Sequence, residues 1–280
     1  MIVLTYHAHH VVGSAYADND HVALARDLPL IRALGGSIVP LGDVVARLTQ
    51  PHGAGGSRTE AGLRVAITFD DGPIYDIVPF DHPVAGRQPG FLNILRDFAR
   101  TLPGEERSAL RATSFVIASP SARRHMETSF DAQYTYLGEG SMTDDWWLPA
   151  LETGLLDIAN HSWDHLHPAL PEVAHSEQAK GDFARVAGEE DADRQIAAAA
   201  RFIASRTDNR AQPYFAYPFG HYNSFLTDDY FPRSPAHGMK AAFTVDAMPV
   251  LPQQSVWCIP RYVCGHHWRD PGALAEILRG

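Results

Sequence analysis

Short apolar runs alternate along the chain with segments whose apolar residues recur at helical spacing. The runs are rich in β-branched and aromatic residues, which is typical of strands buried on both faces. They lack a long alternation of apolar and polar positions, which favours a parallel sheet over an antiparallel one. We therefore predict up to eight strands, at Ile2–Tyr6, Ser37–Leu41, Val65–Phe69, Ala112–Ala118, Leu155–Ala159, Tyr214–Tyr217, Ala241–Val245 and Trp257–Val263.

The segments between these runs predict the helices of an α/β fold. Apolar residues at helical spacing indicate five helices, and Pro29 is expected to bend or split the first of them. The five are Asp20–Leu34, Leu41–Leu48, Phe91–Leu102, Trp146–Thr153 and Glu189–Ser205. Seven or eight parallel strands in a chain of 280 residues favour a closed barrel over an open sheet.

Three long segments show neither pattern and are predicted to be loops: Gln50–Gly62, Ile74–Pro89 and Ser119–Asp145. The last two exceed a typical connection, so we expect them to shape a substrate groove. We find no linker that is rich in Gly, Ser and Pro and free of apolar residues. The pattern therefore predicts one domain over residues 1–280.

Two adjacent carboxylates, Asp70 and Asp71, directly follow the predicted strand Val65–Phe69, and Gly72 and Pro73 then turn the chain. Neighbouring buried carboxylates repel each other, and a bound cation would relieve that repulsion. Alternating side-chain direction would let one carboxylate bind metal while the other moves protons. The alternative is a hairpin turn, which requires a return strand at once; the segment that follows does not supply one.

Two histidines, His161 and His165, follow the predicted strand Leu155–Ala159 and stand four residues apart. On a helical turn they would project from one face and could hold one cation. His167 comes next and could be a chance neighbour, because the chain contains 15 histidines. Two histidines with one carboxylate leave an open coordination position for water, as in catalytic zinc sites.

Composition excludes some classes of function. The chain is 45% hydrophobic and has a net charge of −10 without a basic run, which argues against a nucleic-acid partner but not against a polysaccharide. No apolar run approaches the length of a membrane span. Met1–Tyr6 lacks the features of a secretory signal, so the chain as written is expected to be cytoplasmic, or periplasmic or extracellular if a leader has been removed. The oligomeric state is left open.

Three motifs together resemble those of the polysaccharide deacetylases, the NodB-homology domain of carbohydrate esterase family 4. They are Thr68–Pro73 (TFDDGP), His161–His165 (HSWDH) and Tyr217–Gly220 (YPFG). The resemblance implies a distorted (β/α)7 barrel and hydrolytic removal of acetyl groups, with N-acetyl favoured over O-acetyl, from an acetylated oligo- or polysaccharide. It also implies a divalent metal, usually Zn²⁺ with Ni²⁺, Co²⁺ or Fe²⁺ as alternatives, bound by Asp71, His161 and His165, and Asp70 as the general base.

The third motif and the last strand contain residues that are expected to stabilise the transition state and to hold the base in place. The resemblance implies that the backbone N–H of Phe219 stabilises the oxyanion together with the metal. Many members place an Arg two residues before the motif proline, where this chain has Ala216. We expect Arg261 either to brace Asp70 in its place or to form a surface salt bridge. The first possibility resembles the branch that de-N-acetylates poly-N-acetylglucosamine.

The general acid is predicted to be His7, which ends the first strand in Leu4–His7 (LTYH) and therefore faces the same mouth as the metal motif. The resemblance to the poly-N-acetylglucosamine branch supports this assignment. Other branches use a late strand, which makes His267, and less so His266, the alternative acid. His7 could instead only cap its strand.

Further side chains are expected to contact the sugar, namely Tyr217 and Trp163. Trp146, Trp147 and Trp163 could stack on sugar rings or pack beneath the long loops, and packing is favoured for at least one of them. Four other histidines have no spacing that indicates a ligand role: His9, His10, His21 and His266.

The sequence favours a metal-dependent carbohydrate deacetylase but leaves two alternatives. One is an amidase or deformylase that acts on a small cytosolic molecule. The other is a non-catalytic carbohydrate-binding domain on the same barrel, against which the intact set of Asp70, Asp71, His161 and His165 argues.

Overall fold

Eight parallel strands of the described residues form one curled sheet at the centre of the molecule. The structure is a computed structural model, and it describes residues 1–49, 62–129, 136–174 and 177–280. Within these residues the strands are β1 (Ile2–Tyr6), β2 (Ser37–Ile38), β3 (Arg64–Phe69), β4 (Phe80–His82), β5 (Gly86–Gln88), β6 (Ala112–Val116), β7 (Leu156–Asn160), β8 (Tyr214–Ala216), β9 (Ala241–Phe243) and β10 (Tyr262–Val263). The sheet order is β10-β1-β3-β6-β7-β8-β9, and β2 pairs with the start of β3 beside this path.

Helices fill the connections between the strands. In the described part of the chain they are α1 (Asp20–Ala33), α2 (Leu41–Thr49), α3 (Phe91–Ala99), α4 (Gly104–Ala109), α5 (Pro120–Ser129), α6 (Trp147–Glu152), α7 (Glu189–Ala192), α8 (Ala198–Arg206), α9 (Phe231–Arg233) and α10 (Pro271–Arg279). A π-helical segment, Asp193–Ala197, joins α7 to α8, so these two form the one helix that the sequence predicted.

The last strand segment contacts both ends of the sheet. β10 pairs in parallel with β1, and Ile259 just before it forms a parallel bridge with Phe243 of β9. The sheet therefore closes by a short segment rather than by a full-length pair of strands. This arrangement is the distorted α/β barrel that the sequence predicted.

The alternation of side chains along the strands separates the interior of the barrel from its exterior. One buried cluster takes residues from facing strands, including Val3, Ala66, Phe115, Ala216 and Phe243, and fills the barrel. Two other clusters lie between the outer faces of the strands and the surrounding helices. Because interior residues alternate with exterior ones, Asp70, directly after the end of β3, continues the interior row of Ala66 and Thr68.

Some predicted elements differ from those observed. The strand Ser37–Leu41 is only Ser37–Ile38, because Leu41 already begins α2. Pro29 lies inside α1 without splitting it. Most of the predicted loop Gln50–Gly62 lies outside the described residues.

The two other predicted loops contain regular structure. Ile74–Pro89 includes the antiparallel pair β4–β5, so its turn residues mark a hairpin that the sequence analysis missed. Ser119–Asp145 includes helix α5, and residues 130–135 within it lie outside the described part. Among the described helices, none is long and apolar enough to cross a membrane.

We predict that Gly72→Ala destabilises the fold more than Gly86→Ala. Both glycines have φ of +71°, where an alanine costs about 1–2 kcal/mol. A Cβ on Gly72 would lie 2.6 Å from Val116 Cγ1, whereas a Cβ on Gly86 would meet nothing within 4 Å. The overpacking against β6 should add about 1–3 kcal/mol to the loss at Gly72. Urea unfolding of both variants measures the difference, and equal losses would contradict the packing argument.

Candidate active site

The three motifs meet at the carboxyl end of the barrel, around a cavity of about 400 Å³. Parallel strands direct their carboxyl ends to one face, so residues that are distant in sequence converge there. Seven of the residues predicted for the site line this cavity: His7, Asp70, Asp71, His161, His165, Tyr217 and Phe219.

Asp70 faces into the barrel and forms a bidentate ion pair with Arg261. Arg261 Nη1 donates to Asp70 Oδ1 at 2.7 Å and Nη2 donates to Oδ2 at 2.8 Å. The guanidinium is fully buried, and its Nε donates to the carbonyl oxygen of Thr244 at 3.2 Å. Arg261 is therefore not a surface salt bridge but a buried partner that holds both oxygens of the Asp70 carboxylate.

The charge of Arg261 controls the ionisation of Asp70. Burial would raise the pKa of Asp70, but the charge of the Arg261 guanidinium is the largest opposing effect, and the pKa of Asp70 is held below its usual value. Asp70 is therefore a carboxylate throughout the neutral pH range. A carboxylate whose partners are fixed in this way can accept a proton without changing position.

Asp71, His161 and His165 form a compact group of metal-binding type. One donor atom from each lies within 4.8 Å of the others, and Asp71 Oδ1 is 3.5 Å from the Nε2 atoms of both histidines. His161 Nδ1 donates to the carbonyl oxygen of Ala216 at 2.9 Å, which leaves Nε2 with a free lone pair. The donor set and this tautomer fit a divalent cation.

The electrostatics of this group also suit a cation. Burial would raise the pKa of Asp71, but the hydrogen bond from His9 is the largest opposing effect, and the pKa of Asp71 is held well below its usual value. Burial lowers the pKa of His165 well below its usual value despite the charge of Asp71. The group therefore combines a carboxylate with a neutral imidazole, the protonation states that metal ligation requires.

The two histidines do not lie on a helical turn, contrary to the prediction. Ser162 has φ of +73° and His165 has φ of +61°, so the segment is an irregular turn. Ser162 Oγ accepts the N–H of His165 at 2.9 Å, and Asn160 Oδ1 accepts the N–H of Ser162 at 2.8 Å. The side chain of Asp164 accepts the N–H of Leu166 at 2.9 Å. Polar side chains of the motif thus replace the missing helical bonds.

Backbone strain is concentrated at the site. Of the eight non-glycine residues with positive φ in the described chain, five belong to or directly follow the three motifs: Asp71, Ser162, His165, Leu166 and Phe219. Such conformations cost on the order of 1–3 kcal/mol each and persist where the surroundings enforce them. The strain therefore includes two of the three members of the candidate metal-binding group, Asp71 and His165.

His7 lines the cavity, whereas His267 is not among its lining residues. The backbone N–H of His7 donates to Asp20 Oδ2 at 2.7 Å, which fixes the end of β1. His267 Nδ1 instead accepts the N–H of Val263 at 2.8 Å, and it is the neighbouring His266 that reaches the cavity. The position of His7 favours it over His267 as the acid.

Some of the predicted aromatic residues line the cavity, and others pack in the core. Phe219 is 38% exposed and packs edge-on against the His165 ring at the cavity. Tyr217 borders the cavity but is fully buried, and its hydroxyl donates to the carbonyl oxygen of Trp257. Trp163 packs edge-on against Phe202 of α8 and does not line the cavity, so its position favours packing over the predicted sugar contact. Trp146 and Trp147 are buried.

The sequence analysis missed two histidines that line the cavity, His9 and His167. His9 Nε2 lies 2.7 Å from Asp71 Oδ2, although its spacing from the other motifs indicates no ligand role. His167 lies beside Phe219, with the ring centroids 6.4 Å apart. Their contacts depend on how β1 packs beside β3 and on the turn after β7, which local patterns do not specify.

Comparison with known proteins agrees with this description. The fold and the site define the class of barrel hydrolases with a candidate metal centre at the carboxyl ends of the strands. A family model for polysaccharide deacetylases matches residues 57–230, and the chain belongs to that family. It is therefore a hydrolase of the carbohydrate deacetylase type. No curated protein matches the sequence significantly.

Solved structures with similar folds share little sequence with this chain. Deacetylase PplD of Streptococcus pyogenes, in complex with acetate, is 15% identical with a TM-score of 0.60, covering 99% of this chain and 97% of its own. IcaB from Ammonifex degensii is 16% identical with a TM-score of 0.59 and the same coverage. A de-N-acetylase from Aggregatibacter actinomycetemcomitans is 14% identical with a TM-score of 0.60, covering 99% and 98%. These likenesses establish the fold.

We predict that Arg261→Met destabilises the metal-free protein by about 3–5 kcal/mol at neutral pH, because it leaves the buried Asp70 carboxylate unpaired. Adding Asp70→Asn should recover much of this loss. The difference from the wild type should shrink as pH falls, because an unpaired buried carboxyl takes up a proton more readily than a paired one. Urea unfolding in EDTA at several pH values tests this; strictly additive single-variant losses would contradict the pairing.

Proposed function

We propose that this chain is a metal-dependent carbohydrate deacetylase that removes N-acetyl in preference to O-acetyl groups. The observation that best supports it is the division of the two adjacent carboxylates: Asp70 is paired with Arg261, and Asp71 faces His161 and His165. The de-N-acetylase among the similar structures supports the preference for N-acetyl groups.

The metal site is proposed to consist of Asp71, His161 and His165. Zn²⁺ fits two imidazoles and one carboxylate, and Ni²⁺, Co²⁺ and Fe²⁺ are the alternatives. A cation held there would lower the pKa of a coordinated water and polarise the acetyl carbonyl. The buried position of all three ligands would keep competing water away from the reacting groups.

The chain's own residues supply the proton transfers. Asp70 accepts the proton of the attacking water while Arg261 holds both of its oxygens in place. The backbone N–H of Phe219 is proposed to donate to the developing oxyanion, in a turn where Phe219 has φ of +58°. His7 then protonates the leaving nitrogen, and the products are acetate and a free amine.

The substrate is proposed to be an acetylated oligo- or polysaccharide of the poly-N-acetylglucosamine type. Arg261 opposite Asp70, together with His7 at the end of β1, supports this branch of the family. We also propose that residues 1–280 form one catalytic domain, since β1 and β10 from opposite ends of the chain pair in the same sheet.

We predict that two variants separate metal binding from base catalysis. Asp70→Asn should retain about one metal ion per chain while kcat falls by about 10²–10⁴, because only the base is lost. His161→Ala should lose both the metal and the activity. Elemental analysis and acetate release from N-acetylated chitooligosaccharides measure the two effects. Loss of metal in Asp70→Asn, or normal metal content in His161→Ala, would show that the roles are misassigned.

The same assay separates the competing functions. A wild-type protein that binds metal but releases acyl groups only from small amides would favour an amidase or deformylase. A wild type without hydrolysis of any substrate would favour a carbohydrate-binding domain. Acetate release from the oligosaccharide supports the deacetylase.

We predict that His7→Ala impairs cleavage of an amide more than that of an ester with the same acyl group, because an alkoxide leaving group needs less protonation than an amine. Burial lowers the pKa of His7, against the raising effect of Asp71 and Asp70. The acid form is therefore lost as pH rises through that lowered value, and kcat/KM should fall with it. This fall should disappear in His7→Ala.

His267→Ala is the matched control for this prediction, since His267 lies outside the cavity lining. It should retain the wild-type pH profile and the wild-type ratio of amide to ester cleavage. If His267→Ala shows the selective loss and His7→Ala does not, the acid comes from the C-terminal segment instead.

A further inference from the structure

The two oxygens of Asp71 have different partners. Oδ1 faces the Nε2 atoms of His161 and His165, at 3.5 Å from each. Oδ2 faces His9 Nε2, at 2.7 Å. The side chains of His9 and Asp71 are 7% and 12% exposed, so this hydrogen bond is shielded from water. A carboxylate accepts and does not donate, so His9 Nε2 carries the hydrogen.

The segment after β1 holds His9 firmly in this position. The carbonyl oxygen of His9 accepts the N–H of Val11 at 2.9 Å and that of Tyr136 at 2.7 Å. The carbonyl oxygen of the preceding Ala8 accepts a bond from His21 Nε2 at 2.8 Å. The backbone on both sides of the His9 side chain is therefore tied to other parts of the fold.

We propose that His9 is a positioning residue for the metal centre, an inference that rests on the proposed function. Its N–H bond to Oδ2 would leave Oδ1, which faces His161 and His165, as the oxygen that ligates a bound cation. A carboxylate freed from this bond could bind a cation through both oxygens and occupy an additional coordination position. The His9 bond would thus keep positions available for water and for the substrate carbonyl. Partners of this kind that orient metal ligands typically change metal affinity 10–100-fold when removed.

Direct ligation by His9 is the alternative role. The geometry favours positioning, because His9 Nε2 lies at hydrogen-bond distance from a ligand oxygen. Among the described residues, the group able to surround one cation consists of Asp71, His161 and His165 and does not include His9.

Three substitutions of His9 separate these roles. His9→Gln keeps an N–H donor but removes the imidazole, which could otherwise ligate a metal. His9→Phe keeps a ring of similar shape without a donor, and His9→Ala removes both. His10→Ala is the matched control, because His10 lies in the same turn but pairs with Asp20 instead, at 2.7 Å. Circular dichroism and urea unfolding check that each variant is folded, and the Phe variant replaces Ala if Ala fails.

Metal affinity and coordination are measured without reference to catalysis. Each metal-free protein is titrated with Zn²⁺ in competition with a chromophoric chelator, and its Co²⁺ form is examined by visible absorption. We expect Kd to rise about 10–100-fold in His9→Ala and His9→Phe, and by no more than about threefold in His9→Gln and His10→Ala. The Co²⁺ bands should weaken in the Ala and Phe variants, as they do when coordination number increases.

Other results would overturn the proposal. A Kd in His9→Gln as weak as in His9→Ala would make His9 a direct ligand. Unchanged affinity and unchanged Co²⁺ bands in all three His9 variants would leave it without a role at the metal. A wild type that binds neither Zn²⁺ nor Co²⁺ would refute the metal site itself. This failure of the proposed function can be told apart from a failure of the His9 proposal, because the wild type is measured before any substitution is made.

Discussion

The structure depends on keeping two adjacent carboxylates charged at the buried end of β3. Unpaired, Asp70 and Asp71 would repel each other and would favour protonation over ionisation. The fold gives the two carboxylates different main partners: Arg261 for Asp70, and three imidazoles for Asp71. His161 also lies 3.9 Å from Asp70, but Asp70 has in addition a bidentate guanidinium partner, so the environments of the two carboxylates differ although they are neighbours in sequence. This difference is what the proposed division of roles requires, with Asp71 as a metal ligand and Asp70 as the base.

Two of these partners, His9 and Arg261, come from opposite ends of the chain, and the barrel brings them together. His9 follows β1, whereas Arg261 lies between Ile259, which bridges β9, and β10, which pairs with β1. Arg261 is fully buried inside the barrel. The ion pair between Arg261 and Asp70 can therefore form only when the sheet has closed.

Much of the site could be predicted from sequence because its chemistry is local. The Asp70–Asp71 pair and the His161–His165 pair stand at the ends of short apolar runs, and parallel topology alone brings such ends to one face. The fold class followed from the same runs. The helical turn assigned to the two histidines was wrong, because left-handed residues held by side-chain hydrogen bonds leave no periodic pattern. The hairpin β4–β5 was missed because its strands are only three residues long.

The contact of His9 with Asp71 illustrates what sequence patterns omit. It requires β1 to lie beside β3 with Tyr6 opposite Phe69, so that the turns after the two strands meet. The order of the strands along the chain does not predict this pairing, because β2 comes between β1 and β3 and consecutive strands are usually neighbours in a sheet. Instead, β2 pairs only with the start of β3, and β1 pairs with β3 along the full length of β1. The contact between His9 and Asp71 thus arises from strand order, a property of the whole sheet rather than of any motif.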